Sequence, residues 1–216
     1  MPKDTFFNLP PEKRQVILDL AIEEFADNDY KNASISRIVA RAGIAKGSFY
    51  QYFEDKRDLY LYLLDLVAKE KLEFLREVPL NRQQMGLFDY LRAVFKAGLG
   101  FQFSNPRLAQ IGYRSMYGDA PLPDDMAALV KRSGMEYFRQ LVIEGVQRGE
   151  IDPTLDPELV ASMFNATLMH VGDLILERVT VTPEALLEQG ARVLDRPEVT
   201  SILEQMLQVL EHGVAR

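Results

Sequence analysis

The sequence predicts an all-α protein. Apolar residues recur at three- and four-residue spacing along most of the chain, and several such stretches begin with a capping residue followed by proline. No strand-like alternation and no Asn-Gly hairpin signal occurs. With 216 residues, of which 47% are hydrophobic and 26% charged, the chain can bury a substantial core in one or two domains.

Composition excludes several classes of function. The absence of cysteine excludes disulfide scaffolds, thiol catalysis and cysteine-bound metals. Two histidines, His170 and His212, make a His-based metal site or triad hard to assemble, so we expect no cofactor, metal or catalytic residues. The sequence contains no run of about eighteen apolar residues that would predict a membrane span, so we expect no membrane partner. Residues 1–9 lack the basic start and apolar stretch of a secretory leader, so we expect a cytoplasmic protein.

The net charge of −7 is unevenly distributed. Residues 31–57 carry six basic and two acidic side chains, and no acid occurs between Lys31 and Phe53. Residues 61–216 carry 16 basic and 22 acidic side chains. Because nucleic acid responds to the local field, the basic segment is a candidate DNA-binding surface despite the acidic total. A basic face that is merely solvated is the alternative.

Two helices are predicted at the start of the chain. The first covers residues 11–27, where Pro11 suits the first turn and apolar residues form one face. The second follows Ser34, whose hydroxyl can accept from a backbone N–H two or three residues ahead. Gly43 can adopt the left-handed conformation that ends such a helix.

A third helix is predicted over residues 45–53, with Phe49 and Phe53 towards the core. The side chains expected to point more outward are those of Lys46, Ser48, Tyr50, Gln51 and Tyr52. Two short helices joined by a glycine turn form a helix-turn-helix, whose second member enters the major groove of DNA. A helical hairpin that only packs is the alternative, and the polar, acid-free character of the segment favours DNA binding.

Residues 34–56 resemble the DNA-binding signature of TetR-type (tetracycline-repressor-like) regulators. The matching features are the Ser34 cap, Ala42-Gly43, Lys46-Gly47-Ser48, Tyr50, and Tyr52-Phe53 followed by Lys56. Two residues depart from the pattern: Val39 replaces the usual alanine, and Ala45 replaces the serine that normally caps the recognition helix. Loss of that cap costs about 1 kcal/mol of helix stability.

The expected DNA-binding residues are Ser34, Ser36, Arg37, Lys46, Gly47, Ser48, Tyr50, Gln51, Tyr52 and Lys56. Side-chain chemistry suits Lys46 and Lys56 to phosphate, and Arg37 to phosphate or a base edge. The resemblance implies phosphate contacts for Tyr50 and Tyr52.

The rest of the chain reads as further helices. A fourth is predicted from Lys56 to about Val78. Further helices are predicted over residues 83–103, 106–117, 122–148, 157–179, 183–194 and 197–211. Asp156-Pro157 and Thr182-Pro183 each supply a cap residue followed by a first-turn proline. We therefore expect a DNA-binding domain over residues 1–55 and a helical ligand-binding and dimerisation domain over residues 56–216.

The resemblance implies a small-molecule effector and a homodimer. Candidate effector contacts are Phe101, Tyr113, Tyr117, Met135, Phe138, Asn165 and Met169, although stripes of this kind also occur in ordinary cores. His170 is either a further effector contact or a histidine of the core or the dimer interface. Arg114 could bind an anionic ligand or pair with an acid on a neighbouring helix. Candidate dimer contacts are Ile202, Met206, Val209 and Leu210, with residues 157–179 alongside.

The function predicted from the sequence is a ligand-responsive, DNA-binding transcriptional regulator, not an enzyme. It is expected to repress by binding a palindromic operator in double-stranded DNA as a dimer, and to be released by a small, mostly apolar effector. An all-helical ligand-binding protein or enzyme on a TetR-like scaffold, without operator binding, is the alternative.

Overall fold

The computed structural model describes residues 1–76, 81–118, 122 and 124–214, with the side chains of 75, 117, 124–133, 183, 184 and 187 excepted. The described chain is all-α, as predicted. Its helices are α1 (Asp4–Phe7), α2 (Pro11–Asp27), α3 (Ile35–Arg41), α4 (Lys46–Tyr52), α5 (Lys56–Arg76), α6 (Leu87–Ser104), α7 (Pro106–Tyr117), α8 (Asp124–Gln147), α9 (Pro157–Val179), α10 (Pro183–Gln189) and α11 (Pro197–Val214).

Several predicted helix boundaries are confirmed, and their caps have the expected chemistry. The bounds of α2, α7 and α9 coincide with those predicted. Asp156 accepts a hydrogen bond from the Glu158 N–H at the start of α9, and Thr182 accepts from the Ala185 N–H at the start of α10. Each cap satisfies a backbone donor that the helix itself leaves unpaired.

Other helices differ from the prediction. The four-residue α1 was not predicted, since it is too short for a periodic pattern and has no side-chain cap. The helix predicted over residues 183–194 is instead α10 followed by a 3-10 helix, Gly190–Asp195, because Gly190 has a φ of +51°. Residues 77 and 78, the predicted end of the fourth helix, lie outside the described residues.

The chain forms two compact units, of which unit 1 comprises Met1–Glu70 and Arg107–Ala127. Its core joins residues from the N-terminus to α7, and Phe6, Phe25, Phe49, Phe53, Leu63 and Ile111 are almost completely buried. Phe49 and Phe53 therefore face the core, as predicted. Burial of each of these apolar side chains stabilises unit 1 by roughly 1.5–3 kcal/mol.

Unit 2 comprises Lys71–Pro106 and Ala128–Arg216. Helix α6 lies at its centre, because apolar residues occur on all sides of it and the 3-10 helix, α9, α10 and α11 pack against it. The core includes Leu91, Phe95, Phe103, Phe164, Ile175 and Leu207, which are buried. The functional boundary predicted at residue 55 stays a prediction.

Candidate nucleic-acid interface

The interface is built on α3 and α4, joined by a tight turn. Ser34 accepts a hydrogen bond from the Arg37 N–H at 3.4 Å, which confirms the predicted cap of α3. Gly43 has a φ of +65°, the left-handed conformation predicted for the end of this helix. Ser36 is exposed in the first turn of α3, where free N–H groups and hydroxyls suit a phosphate oxygen.

The guanidinium of Arg37 binds Glu24 on α2, and its expected contact with phosphate or a base edge stays a prediction. Its Nε lies 3.0 Å and 3.1 Å from the two carboxylate oxygens, and its Nη2 also donates to Glu24 and to the Asn32 carbonyl. These bonds use Nε and Nη2 of the guanidinium, and the side chain is still 53% exposed. Arg37 therefore fixes α3 against α2 and the loop before α3.

Glu24 is a buried acid whose ion pair the sequence pattern did not predict. Its side chain is 5% exposed and also accepts from the Ser34 N–H at 2.8 Å. Burial alone would raise the pKa of this carboxyl group, but the hydrogen bonds from Arg37 and Ser34 outweigh burial and lower it. Glu24 occupies a position on the buried face of α2, where the sequence pattern indicates only an apolar stripe with an interruption.

Lys56 likewise performs a structural role in this structure. Its ammonium group donates to the carbonyls of Tyr30, Lys31 and Ala33 at 2.7, 3.3 and 3.0 Å, and lies 4.5 Å from the centroid of the Tyr30 ring. These contacts fix the loop between α2 and α3 to the start of α5. The expected phosphate contact of Lys56 stays a prediction.

Helix α4 exposes most of the residues expected at DNA. Lys46, Gly47 and Gln51 are exposed, Tyr50 is 48% exposed and Ser48 is half-buried. A Cβ atom built on Gly47 would meet no atom within 4 Å. Ala45 makes no side-chain cap, in agreement with the departure noted in the sequence.

Tyr52 was predicted to point outward, and that prediction is wrong. Its side chain is 7% exposed and its ring centroid lies 6.1 Å from that of Phe6, a residue of the N-terminal segment. The helical spacing placed it on the outer side of α4, but the packed N-terminal segment covers that side.

A second acid of α2 pairs with two arginines. Glu23 accepts from Arg41 at 2.5 Å, on the last turn of α3, and from Arg107 at 2.8 Å, on the first turn of α7. The hydrogen bond from Arg41 and the charges of both arginines hold the pKa of Glu23 below its ordinary value. Arg37 and Arg41, both in the basic segment 31–57, are thus paired with acids of α2.

The N-terminal segment is a second feature that sequence reasoning missed. Residues 3–9, here called the N-terminal arm, contain α1 and pack on α4. Phe6 is fully buried, and its ring centroid lies 4.8 Å from that of Phe53. The Phe6-Phe7 pair, isolated in a polar stretch, is the signal that could have indicated an anchored segment.

The candidate effector residues do not form one described cavity. Phe138 is 2% exposed and lies in the core of unit 2, which also contacts the half-buried Met135. Phe101 is 5% exposed, and its ring centroid lies 5.9 Å from that of Phe74. Asn165 and Met169 are half-buried on α9. Tyr113 belongs to unit 1 and is 41% exposed, and the side chain of Tyr117 lies outside the described residues.

Two grooves are described, and neither is lined by these candidates. One, of about 430 Å³, lies in unit 1 among Asp29, Tyr30, Tyr60 and Arg114. Arg114 donates to the Phe25 carbonyl at 3.3 Å there, and its charge contributes to the lowered pKa of Asp29, after the bonds from Asn32. The other, of about 500 Å³, lies along the first half of α6. Within the described residues, no three acid or imidazole groups cluster as a metal site would require.

The candidate dimer residues occupy different environments. Val209 is 72% exposed and Ile202 and Met206 are half-buried, whereas Leu210 is 6% exposed and packs in the core of unit 2. The helical turn of α11 carries Leu210 inward together with Leu203 and Leu207. On α9, His170 is exposed, which removes a core role for it.

Helix α9 also carries an exposed apolar stripe. Leu159, Met163 and Leu174 are 60%, 43% and 37% exposed. Helix α9 is apolar overall, so part of its apolar surface lies outside the core. Among the described helices, α9 alone has the length and composition to cross a membrane, a test that core and interface helices also pass.

Comparison with protein families identifies both halves of the chain. A model described as "Bacterial regulatory proteins, tetR family" matches residues 17–63, which include α3 and α4. A second model, "Tetracyclin repressor-like, C-terminal domain", matches residues 85–215. The N-terminal arm lies outside both matches.

Individual proteins give the same result. A TetR family transcriptional regulator from Chloroflexus aurantiacus J-10-fl is 45% identical, with a TM-score of 0.93 over 100% of this chain and 99% of its own. The fatty acid metabolism regulator protein of Bacillus subtilis is 26% identical over 159 residues, 72% of this chain and 79% of the relative.

A solved structure of FadR from B. subtilis in complex with stearoyl-CoA shares the fold, at 19% identity, with a TM-score of 0.61 over 89% of this chain and 97% of its own. The chain therefore belongs to the TetR family, and it is a helix-turn-helix, DNA-binding transcriptional regulator.

Proposed function

We propose that this regulator is a cytoplasmic repressor that binds a palindromic operator as a homodimer and is released by a small, mostly apolar effector. The observation that carries the proposal is the exposed surface of α4, where Lys46, Gly47, Tyr50 and Gln51 stand without a neighbouring acid on the same helix. Such a surface suits the major groove, because cations and polar side chains replace the phosphate counterions and contact base edges.

The proposed contacts divide by chemistry. Lys46 and Tyr50 contact phosphate, and Gln51 reads a base edge, for which adenine offers a matching donor and acceptor. Gly47 and Ser48 let the backbone of α4 approach the bases closely. Ser34 and Ser36 bind a phosphate at the start of α3.

The proposed dimer is formed by α9 and α11. The exposed stripe of Leu159, Met163 and Leu174, and Val209 on α11, supply the apolar surface that a permanent interface needs. A dimer presents two copies of α4 to two half-sites of an operator, one helical turn or a multiple of it apart. The membrane-like composition of α9 follows from burial against the second copy.

The proposed effector binds within residues 56–216 and favours a conformation whose recognition helices are wrongly spaced for DNA. Differential affinity for the two conformations is what releases the operator. A long acyl chain, free or as a thioester of coenzyme A, is our candidate, because two relatives are named for fatty acid regulation and one was solved with stearoyl-CoA.

Selection of duplexes from a random pool tests the proposal. The wild type should enrich one palindromic sequence, and binding to it should weaken steeply with salt. Lys46→Ala and Tyr50→Ala should weaken this binding while the thermal melting curve is unchanged. Stearoyl-CoA should release the selected duplex, and stearate, the corresponding free acid, shows whether the coenzyme A group is needed. Enrichment of no sequence by an intact dimer would disprove operator binding.

A further inference from the structure

The end of α4 depends on the N-terminal arm for its backbone hydrogen bonds. The last four carbonyl groups of any α-helix have no partner inside the helix. In α4, Phe49 O accepts from the Phe53 N–H, and the other three accept from the arm. These three bonds are Lys3 Nζ to Tyr50 O at 3.0 Å, Thr5 Oγ1 to Gln51 O, and Lys3 N–H to Tyr52 O at 2.8 Å.

Helix α4 has little stability of its own. It contains seven residues and lacks a side-chain cap at its start, whereas isolated helices shorter than about 12 residues are marginal in water. Phe49 anchors one side of it in the core. The arm therefore supplies most of the polar contacts that fix its C-terminal turn, which carries Tyr50 and Gln51.

The arm is itself firmly anchored. Phe6 is fully buried against Phe53 and Tyr62, with ring centroids 4.8 Å and 6.0 Å away. The Phe7 carbonyl accepts from Arg14 on α2 at 3.0 Å, and the Asn8 N–H donates to Asp4 O at 2.9 Å. Lys3 and Thr5 thus project from a fixed segment, so their bonds constrain α4 and not only the arm.

We propose that the N-terminal arm positions the recognition helix for its operator, with Lys3 and Thr5 as positioning residues that act through the backbone of α4. The inference rests on the proposed function, since it concerns how α4 meets DNA. The positioning bonds determine where the side chains of Tyr50 and Gln51 point, so they affect specific binding more than non-specific attraction to phosphate.

Thr5→Val tests the proposal, because valine keeps the shape of threonine but cannot donate to Gln51 O. With the duplex selected by the wild type, its affinity should fall about fivefold, because the loosened turn of α4 must be ordered on binding, at a cost of up to one net hydrogen bond. Thr5→Ser keeps the donor and should bind like the wild type. Amide hydrogen exchange at the end of α4 should be faster in Thr5→Val than in Thr5→Ser.

Two readouts separate positioning from a general loss of structure. Binding to a random duplex and the melting temperature, within about 3 °C, should be the same in Thr5→Val and the wild type. A purely structural role would lower the melting temperature and weaken binding to both duplexes equally, and this result would overturn the proposal.

Lys3→Met gives a second test, with Lys13→Met on α2 as the matched control. Loss of the positioning bond should weaken specific binding while the dependence of affinity on salt is unchanged. A salt slope reduced by about one would show that Lys3 contacts phosphate directly, and would overturn its positioning role.

The failure of this inference is distinguishable from the failure of the proposed function. If the wild type selects no duplex, operator binding fails and the inference fails with it. If the wild type selects a duplex and Thr5→Val binds it as tightly as the wild type does, only the role of the arm is overturned.

Discussion

Glu24 determines how Arg37 is used. Because the carboxylate is buried and bonded to both the Arg37 guanidinium and the Ser34 N–H, it fixes the start of α3 from the inside. A single acid thereby neutralises one basic residue of the surface offered to DNA, although Arg37 itself stays half exposed. The charge of a segment, counted along the sequence, overstates the charge that a duplex meets.

Glu24→Gln should lower the free energy of unfolding at pH 7 by about 1–3 kcal/mol, the value of hydrogen bonds to a charged group. Since the folded pKa of Glu24 is lowered, its contribution is complete above its ordinary pKa of 4.5 and is lost as pH falls through the folded pKa. Urea unfolding should therefore show the two proteins converging in stability below about pH 4.5.

The matched control is Glu23→Gln, one residue earlier on α2. Glu23 is 24% exposed, and its arginine partners are about half exposed, so solvent screens these pairs. We expect a loss below about 1 kcal/mol. An equal loss for the two variants would contradict the special role of the buried carboxylate.

Gly47→Ala should separate folding from binding. Alanine is favoured over glycine inside a helix by roughly 0.5–1 kcal/mol, and a Cβ there has open space, so the protein should become slightly more stable. The same methyl group would stand between α4 and the bases, so affinity for the selected duplex should fall at least tenfold, about 1.4 kcal/mol. Melting and duplex titration measure the two effects.

Gly213→Ala on α11 is the control for this change, since a Cβ there also meets no atom within 4 Å. It should give the gain in stability without the loss of affinity. Unchanged affinity in Gly47→Ala would show that α4 does not approach DNA closely at this residue.

At the scale of elements, α4 is held at one end only. Its C-terminal carbonyls have partners, while its N-terminal N–H groups have no side-chain cap because the side chain of Ala45 has no oxygen. The backbone of Ala45 already has the extended conformation of a cap residue, with φ −67° and ψ 144°. A hydroxyl introduced here would therefore need no rearrangement of the chain.

Ala45→Ser should raise the free energy of unfolding by about 1 kcal/mol, through a new hydrogen bond to the first turn of α4. Ala40→Ser, on the exposed side of α3, should instead lower it by a few tenths of a kcal/mol, because serine is a poorer helix former than alanine. Guanidinium unfolding of both variants tests this contrast, and a loss of stability in Ala45→Ser would refute it.

The elements show what sequence patterns can and cannot predict. Periodicity, proline and capping residues predicted the bounds of α2, α7 and α9, since these signals are local. They did not predict α1 or the break at Gly190, where non-local packing or a single backbone angle decides. The burial of Tyr52 was missed for the same reason, because the arm that covers it lies some 45 residues away in sequence.

At the scale of the whole molecule, the proposed dimer requires apolar surface outside the core. Val209→Glu places a charge on the most exposed apolar residue of α11, and it should convert the dimer to monomer at micromolar concentration. The operator affinity should fall with it, because one copy of α4 supplies only half of the contacts. Sedimentation velocity and duplex titration measure the two changes.

Val16→Glu on α2 is the control, since Val16 is 48% exposed in unit 1. It should remain dimeric. A dimer that persists in Val209→Glu would place the subunit contact elsewhere.

The two compact units do not follow the change of charge along the sequence. The sequence changes character after residue 57, yet α7 and most of α5 pack with unit 1, through Ile111 and Leu63. Composition cannot reveal this, because a helix buried in either unit needs the same apolar residues.

The N-terminal arm also bears on the order in which the protein is made. Lys3 and Thr5 leave the ribosome before the carbonyls that they bind, on Tyr50 and Gln51, which follow 47 and 46 residues later. Until α4 has been synthesised, Phe6 has no Phe53 to pack on. The recognition helix can therefore reach its final form only when both ends of this domain have been translated and have met.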